Sequence, residues 1–176
     1  QGKASTRSAA KIGDFIYVTG PLGDAGLGLK IKQGYACNDP DDALRRFNCP
    51  TPQVETGLAL VDIAHACIDI SDGLAADLGH ILQKSQVGAC LDWEMLPLSS
   101  AVQDYIVDTG DWLLPLTAGD DYELCFTVSP ENAVKLRVPC HKIGIIEAQP
   151  GLRLRKSGTL LPLEMKGFEH FNECNI

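Results

Sequence analysis

The sequence lacks any long apolar segment, and none of its apolar runs approaches the roughly 18 residues that a membrane-spanning helix needs. Positive charge is also scarce, with 15 Lys and Arg against 23 Asp and Glu and a formal net charge of −8. A surface of that sign repels a nucleic-acid backbone, so we expect neither a membrane nor a nucleic acid as a partner. An acidic domain can still bind phosphate groups when a divalent cation lies between the negative charges.

Several common kinds of site are missing as well. The seven cysteines are scattered, and no two have the Cys-x-x-Cys spacing of a zinc or redox motif. Their odd number argues against a disulfide framework, so we expect free thiols in a reducing, cytoplasmic setting. The glycine-bearing stretch 20–26 lacks the Gly-Lys-Ser/Thr end of a P-loop, and the four histidines have no metal-ligand spacing.

The most informative segment that is present is 69–74, which places two carboxylates and a hydroxyl between an apolar strand and an amphipathic helix. Carboxylates at such a turn commonly hold Mg²⁺, while helix N–H groups meet phosphates. Asp69 lies within the apolar run, and if buried it needs a partner, which a cation supplies. For Asp72 the favoured alternative is capping of the following helix, and Ser71 either caps that helix or contacts a phosphate.

A second acidic segment, 119–123, has the sequence Gly-Asp-Asp-Tyr-Glu and precedes another apolar strand. Its simplest interpretation is a charged turn. Two adjacent aspartates at the entrance of a strand are nevertheless unfavourable without a counter-charge. A functional site and a charged turn are therefore equally favoured by the chemistry alone.

The 176 residues suffice for one domain with a buried core. Strands are predicted over 15–19, 66–70, 87–93, 122–128 and 141–146, with a hairpin over 152–155 and 160–163. Helices are predicted over 22–29 (weakly), 41–47, a segment starting at Thr51-Pro52, 71–85, a segment that Pro97 with Ser99-Ser100 starts and that runs to about 107, and 132–136 with Ser129 as its N-cap. The helix after Thr51-Pro52 is expected to carry Val54, Leu58, Val61 and Ala64 or His65 on one face. This alternation predicts an α/β (α+β) sandwich, a mixed sheet with helices packed on it, as a single domain over 1–176.

Five segments of the chain, in the same order, resemble the thiamine-monophosphate kinase family. They are Thr6-Arg7-Ser8, residues 13–20, residues 68–74, residues 119–124 and residues 166–171. The resemblance covers nearly the whole chain and is to the C-terminal half of these enzymes, which belong with aminoimidazole ribonucleotide synthetase and selenophosphate synthetase. It implies the C-terminal domain of the aminoimidazole ribonucleotide synthetase-like fold.

The resemblance also implies an activity, the ATP-dependent phosphorylation of thiamine monophosphate to thiamine diphosphate, with Mg²⁺ as cofactor. In this family the N-terminal half supplies further Mg²⁺-binding aspartates, nucleotide contacts and most of the homodimer interface. The chain starts at Gln1 without Met and shows no counterpart of that half. We therefore expect a fragment that has no kinase activity by itself.

The resemblance assigns roles to six side chains. It implies Asp69 and Asp72 as Mg²⁺ ligands, Arg7 and Ser71 as ATP contacts, and Asp120 and Phe168 as contacts to thiamine monophosphate. On its own chemistry Arg7 belongs to a solvated tail, and it becomes a phosphate contact only through the resemblance. Three positions depart from the family pattern: Asp120 replaces a frequent Glu, Gln53 a frequent Arg, and Phe168 a frequent Trp or Tyr.

Two other functions stay open at this point. One is a related ATP-dependent synthetase with a different substrate, which the acidic run 120–123 disfavours. The other is a non-catalytic module that binds anions or metal and whose acidic turns only cap helices. If the kinase interpretation is right, Asp69, Ser71 and Asp72 face a groove whose other wall lies outside this chain, so we expect their polar groups to face water.

Overall fold

The computed structural model of the protein describes residues 8–165. In this range the strands are β1 (Phe15–Val18), β2 (Ala66–Asp69), β3 (Gly88–Asp92), β4 (Leu124–Val128), β5 (His141–Glu147), β6 (Gly151–Lys156) and β7 (Thr159–Leu163). The α-helices are α1 (Asp24–Lys32), α2 (Asp41–Asn48), α3 (Val54–Ala59), α4 (Leu74–Ser85), α5 (Ser100–Thr109), α6 (Leu114–Thr117) and α7 (Pro130–Ala133). A 3₁₀ helix, Trp93–Met95, follows β3.

The described strands form one mixed sheet in the order β2-β4-β1-β5-β3-β6-β7. Only the β3–β6 pair is parallel, and the other neighbours are antiparallel. The predicted mixed sheet with helices packed on it is therefore confirmed. β2 is an edge strand paired with β4, and its last residue, Asp69, lies opposite the first residue of β4, Leu124. This register brings the segment after β2 beside the segment before β4.

The sheet is buried on both faces, as the alternation along β1 shows. Ile16 and Val18 are fully buried in the main core, against the apolar stripe of α4. Tyr17 lies on the opposite face, where its ring stacks on Phe126 at a centroid distance of 5.5 Å. A separate apolar cluster joins α1, α2, α5 and α6. Helices and sheet thus bury apolar side chains in layers, as a small α/β domain requires.

The start of α4 differs from the prediction. Neither Ser71 nor Asp72 caps the helix with its side chain. Gly73 occupies the N-cap position with φ of 106°, a backbone conformation that glycine adopts at little cost. The carboxylate that serves the preceding backbone N–H groups comes from within the helix, from Asp77.

The helix after Thr51-Pro52 is also shorter and turned differently than predicted. Its N-cap is Gln53 and it ends at Ala59. Val54 and Leu58, two positions of the predicted core face, are exposed. The prediction failed because α3 is turned so that Gln53 and Gly57 adjoin the edge strand β2, while Leu60, just after the helix, is the residue that enters an apolar cluster.

Two predicted helix starts are confirmed. The Ser99 hydroxyl accepts a hydrogen bond from the Val102 N–H at 3.2 Å, and the Ser129 hydroxyl accepts one from the Asn132 N–H at 3.3 Å. Across the part of the chain that the structure describes, none of the helices has both the length and the apolar content needed to cross a bilayer.

Candidate functional site

Two loops meet at the edge of the sheet where β2 ends and β4 begins. The first loop is residues 70–73, between β2 and α4, and the second loop is residues 118–123, between α6 and β4. Three backbone hydrogen bonds of 2.8 to 3.0 Å join them: Ile70 N–H to the Glu123 carbonyl, Tyr122 N–H to the Ile70 carbonyl, and Asp120 N–H to the Ser71 carbonyl. The two acidic motifs of the sequence are therefore one structural unit.

Glycines allow the loops to pack this closely. A Cβ atom at Gly119 would lie 2.3 Å from the Ser71 carbonyl oxygen. One at Gly73 would lie 2.7 Å from the Thr117 carbonyl oxygen, and φ there is positive as well. A side chain at either position would push the loops apart and break the backbone hydrogen bonds between them.

A cavity of ≈ 440 Å³ opens beside the two loops. Ser71 and Asp120, predicted to contact ATP and thiamine monophosphate, both line it. The opposite wall is contributed by α1 and by Phe47 of α2. Much of the lining is apolar, with a few polar groups at the loops, which is the usual composition of a small-molecule site.

Asp69, the last residue of β2, and Asp72, within the first loop, are both solvent-exposed. Within residues 8–165 neither carboxylate makes a hydrogen bond or an ion pair. Asp69 is not buried, because its side chain at the end of an edge strand faces outward, so the condition under which it would need a partner is not met. The expectation that these carboxylates face water is confirmed. Asp69 lines a separate depression of ≈ 370 Å³, which it shares with Gln53.

Asp77, which the sequence interpretation missed, organises the first loop. Its buried carboxylate oxygen Oδ2 accepts hydrogen bonds from the N–H groups of Ser71 and Asp72, both at 2.9 Å. Burial raises the pKa of Asp77, the two N–H groups oppose that rise, and the negative charges of Asp72 and Asp69 add to it. An acidic residue in the first turn of a helix is the signal that could have identified it.

Asp72, Asp77 and His80 form the group with metal-binding potential in the described residues. Their ligand atoms lie within 4.8 Å of one another. His80 was given no metal role from its spacing, yet it lies one helical turn after Asp77. Mg²⁺ binds through one or two carboxylates plus substrate phosphates and makes little use of imidazole. The free carboxylates of Asp69 and Asp72 therefore fit Mg²⁺ at a phosphate site, whereas His80 does not belong to that ligand set.

The remaining acidic side chains of the second loop point into the protein. The Asp121 carboxylate accepts hydrogen bonds from the N–H groups of Gly23 at 2.8 Å and Ala25 at 3.3 Å, at the start of α1. Glu123 pairs with Arg46, whose Nη2 lies 2.6 Å from its carboxylate. Arg46 thus brings a positive charge to the second loop through Glu123, and its charge also opposes the rise in the pKa of Asp121. Sequence reasoning did not find this partner.

Arg7 and Phe168, the other two predicted contacts, lie outside the described residues. Their roles stay predictions. Of the six predicted site residues, the structure brings Ser71 and Asp120 to one cavity and leaves Asp69 and Asp72 free beside the first loop.

Residues 11–156 match the protein family described as AIR synthase related protein, C-terminal domain. Among curated proteins, the thiamine-monophosphate kinase of Haemophilus influenzae is 42% identical over 98% of this chain and 57% of its own length. That of Escherichia coli K12 is 41% identical over 97% of this chain and 56% of its own length. The chain thus spans little more than half of the relatives it matches.

Solved structures give the same result. The thiamine-monophosphate kinase of Stenotrophomonas maltophilia K279a superposes with a TM-score of 0.79 at 39% identity, covering 87% of this chain and 53% of that one. AaThiL, solved as a complex with AMPPCP and TMP, superposes with a TM-score of 0.78 at 32% identity, covering 95% and 54%. The hydrogenase maturation protein HypE of E. coli has a TM-score of 0.74 at 18% identity, which shows a shared fold alone.

Proposed function

The chain belongs to the family of AIR synthase related protein C-terminal domains, and we propose that it is the C-terminal domain of a thiamine-monophosphate kinase. The reaction is transfer of the γ-phosphoryl group of ATP to the phosphate of thiamine monophosphate, which yields thiamine diphosphate and ADP. The observation that carries the proposal is the joining of the two acidic loops, which brings Ser71 and Asp120 to one cavity. The carboxylates of Asp69 and Asp72, at the end of β2 and in the first loop, have no partner in the described residues.

Phosphoryl transfer between phosphates asks for positioning and charge neutralisation rather than covalent catalysis. The acceptor phosphate is already a nucleophile, so the proposed reaction needs no strong general base. Asp69 and Asp72 would hold Mg²⁺, which neutralises the repulsion between the two phosphate chains when it is bound. The Ser71 hydroxyl contacts the ATP phosphates from the first loop.

Asp120 contacts thiamine monophosphate from the second loop, and the carboxylate has the charge to face the cationic thiazolium. Relatives often have Glu at this position, and Asp keeps the charge while retracting it by one methylene. Arg7 is proposed as a further phosphate contact. The aromatic ring of Phe168 is proposed to face the thiazolium through a cation–π interaction.

The proposal leaves part of the site outside this chain. The curated relatives are nearly twice as long as the segment they share with it, and we propose that their remaining part supplies further Mg²⁺ ligands and nucleotide contacts. Homodimerisation through that part and a cytoplasmic location stay predictions. The same reasoning predicts that the 176-residue chain alone forms no thiamine diphosphate from ATP and thiamine monophosphate.

A chimera tests the proposal directly. In the H. influenzae relative, the matching segment is replaced by this chain, and thiamine diphosphate formation from ATP and thiamine monophosphate is measured by chromatography. We expect the chimera to be active. Asp69→Ala and Asp72→Ala should each lower kcat/KM by roughly 100-fold or more, because each removes a proposed metal ligand.

Asp104→Ala serves as the control, since Asp104 is exposed on α5 and lies in neither loop. It should leave kcat/KM unchanged. A folded chimera that forms no thiamine diphosphate, or full activity in both aspartate variants, would refute the proposal.

A further inference from the structure

A buried charge cluster adjoins the second loop, and none of its members lines the cavity. It consists of Asp24, Arg46, Asp121 and Glu123. The three carboxylic acids are 3%, 4% and 3% exposed, and the Arg46 side chain is 17% exposed. The guanidinium pairs with two of the acids, Asp24 and Glu123, while Asp121 is held by backbone N–H groups. Buried charges are tolerated only when they are paired.

Arg46 links separate parts of the chain. Its Nη2 atom donates to the Glu123 carboxylate at 2.6 Å and to the Pro21 carbonyl at 3.1 Å. Its Nε atom lies 3.3 Å from the Asp24 carboxylate, although it is buried and makes no hydrogen bond. Asp24 in turn accepts a hydrogen bond from the Ser99 hydroxyl at 2.6 Å. Removing Arg46 would therefore leave neighbouring carboxylates without their cation.

The second loop has an unusual backbone at the two residues that alternate with these acids. Asp120 has φ of 65° and Tyr122 has φ of 52°, and neither is glycine. Residues with side chains adopt the left-handed region infrequently, although Asp does so more readily than most, and surrounding contacts can stabilise them there. The acid that follows each of these two residues is held by other parts of the chain. Asp121 binds N–H groups at the start of α1, and Glu123 binds Arg46 and the Thr19 hydroxyl.

The same contacts assemble the cavity. Asp121 attaches the second loop to α1, which forms one wall. Arg46 attaches that loop to α2, where the next residue, Phe47, also lines the cavity. Neither Arg46 nor Glu123 is among the residues that line it. Any influence of this pair on a ligand is therefore indirect, and Asp120 of the second loop and Phe47 of α2 are lining residues close to it in the chain.

We propose that Arg46 and Glu123 are positioning residues that hold Asp120 in its left-handed conformation at the cavity wall. The expected effect on substrate binding rests on the proposed function, whereas the expected effect on the loop conformation does not. The first loop has its own anchor in Asp77. Loss of the pair should therefore disturb the thiamine monophosphate side of the site more than the ATP side.

The loop conformation is tested in the 176-residue chain by amide hydrogen exchange followed by NMR. The reporters are the N–H groups of Asp120 and Tyr122, which donate to the first loop. In Arg46→Met we expect them to exchange at least about tenfold faster, with little change in the central strands. Arg45→Met is the matched control, because Arg45 is 57% exposed and its ion pair is with Asp42, one turn earlier on the same helix.

Unchanged protection of Asp120 and Tyr122 in Arg46→Met would overturn the proposal. So would a uniform acceleration of all amides, since that reports general destabilisation. If Arg46→Met does not fold, Glu123→Gln replaces it, because the amide keeps the shape of the side chain and removes the charge. Arg46→Lys should show partly restored protection of the two amides. If neither Glu123→Gln nor Arg46→Lys folds, the pair is needed for folding, and the proposal that it positions Asp120 is rejected.

Kinetics of the chimera provide the second measurement. Arg46→Met should raise the KM for thiamine monophosphate about tenfold and change that for ATP less than about twofold. Equal changes in both constants would contradict a role specific to Asp120. If the unsubstituted chimera forms no product, the proposed function fails, and the exchange experiment still decides whether the pair holds the loop.

Discussion

Replacing Asp77 by Ala is the most direct way to test how the first loop is held. The substitution removes the acceptor of two backbone hydrogen bonds, from the N–H groups of Ser71 and Asp72, each 2.9 Å long. A hydrogen bond to a charged group contributes about 1.5–3 kcal/mol. The burial that raises the pKa of Asp77 is an opposing cost that the alanine variant no longer carries.

From these opposing effects we expect Asp77→Ala to lose about 3 kcal/mol of unfolding free energy. For a domain of this size that corresponds to a fall in Tm of roughly 6–12 °C. Asp77→Asn should lose only about 1 kcal/mol, because the amide oxygen can still accept hydrogen bonds although the charge is gone. The graded loss from Asn to Ala is the signature of a hydrogen-bond acceptor.

Thermal unfolding followed by circular dichroism at pH 7 measures these differences. Asp72→Asn is the control, since its exposed carboxylate has no partner in the described chain and the change should stay within about 0.5 kcal/mol. If Asp77→Ala unfolds at the same temperature as Asp72→Asn, the carboxylate does not hold the loop. The account of how Ser71 is placed would then be wrong.

Three further predictions follow from single contacts. Asp69→Asn should leave Tm unchanged, because the carboxylate is exposed and has no partner in the described residues. It should weaken the Mg²⁺-dependent binding of nucleotide to the chimera, measured by calorimetry. Unchanged binding would remove Asp69 from the proposed Mg²⁺ ligands. Burial raises the pKa of Asp121 to about 7, and the negative charge of Asp24 adds to the rise. The N–H groups at the start of α1 and the positive charge of Arg46 oppose it. The folded chain therefore binds a proton that the unfolded chain releases near pH 4, so stability should fall as pH rises from about 4 to 7. Asp121→Asn should abolish that part of the pH dependence of Tm, and parallel Tm curves for the two proteins would contradict the shift. Gly119→Ala should lower Tm by several degrees, because the added Cβ would lie 2.3 Å from a backbone oxygen. Overpacking of this kind costs roughly 1–3 kcal/mol of unfolding free energy. An unchanged Tm would show that the two loops can separate without cost.

Much of the fold was predictable because its signals are local. The helix that begins after Ser99 and the one after Ser129 carry their capping residues beside them in sequence. The strand that contains Asp69 was predicted from a short apolar run, and the helix that follows it from apolar residues at helical spacing. The mixed sheet with packed helices followed from the alternation of such elements.

The errors have a common cause in the position of elements within the sheet. β2 is an edge strand, so Asp69 faces solvent although its neighbours in sequence are apolar. α3 lies beside that edge, which exposes Val54 and Leu58 despite their helical spacing. Burial depends on what lies across from a residue, and the period of a sequence carries no information about that.

The candidate site shows the same division. The two acidic segments were visible as motifs, and their residue types indicated phosphate and metal chemistry. The pairing of Arg46 with Glu123 joins residues 77 positions apart, and no local pattern predicts such a partner. Asp77 was hidden for another reason, since its carboxylate turns back to the loop before its own helix.

The amino-acid sequence by itself determined the chemistry available to this protein: free carboxylates beside a hydroxyl at a strand-to-helix turn, and a second acidic run ahead of another strand. The tertiary structure decided which of those carboxylates can act on a ligand. Asp121 is hydrogen-bonded to the start of α1, and Glu123 is paired with Arg46. Asp69 and Asp72 have no partner in the described residues, and Asp120 lines the cavity. The physical reason is that a carboxylate inside the protein must find its partner there, and only the packing of distant elements determines which ones do.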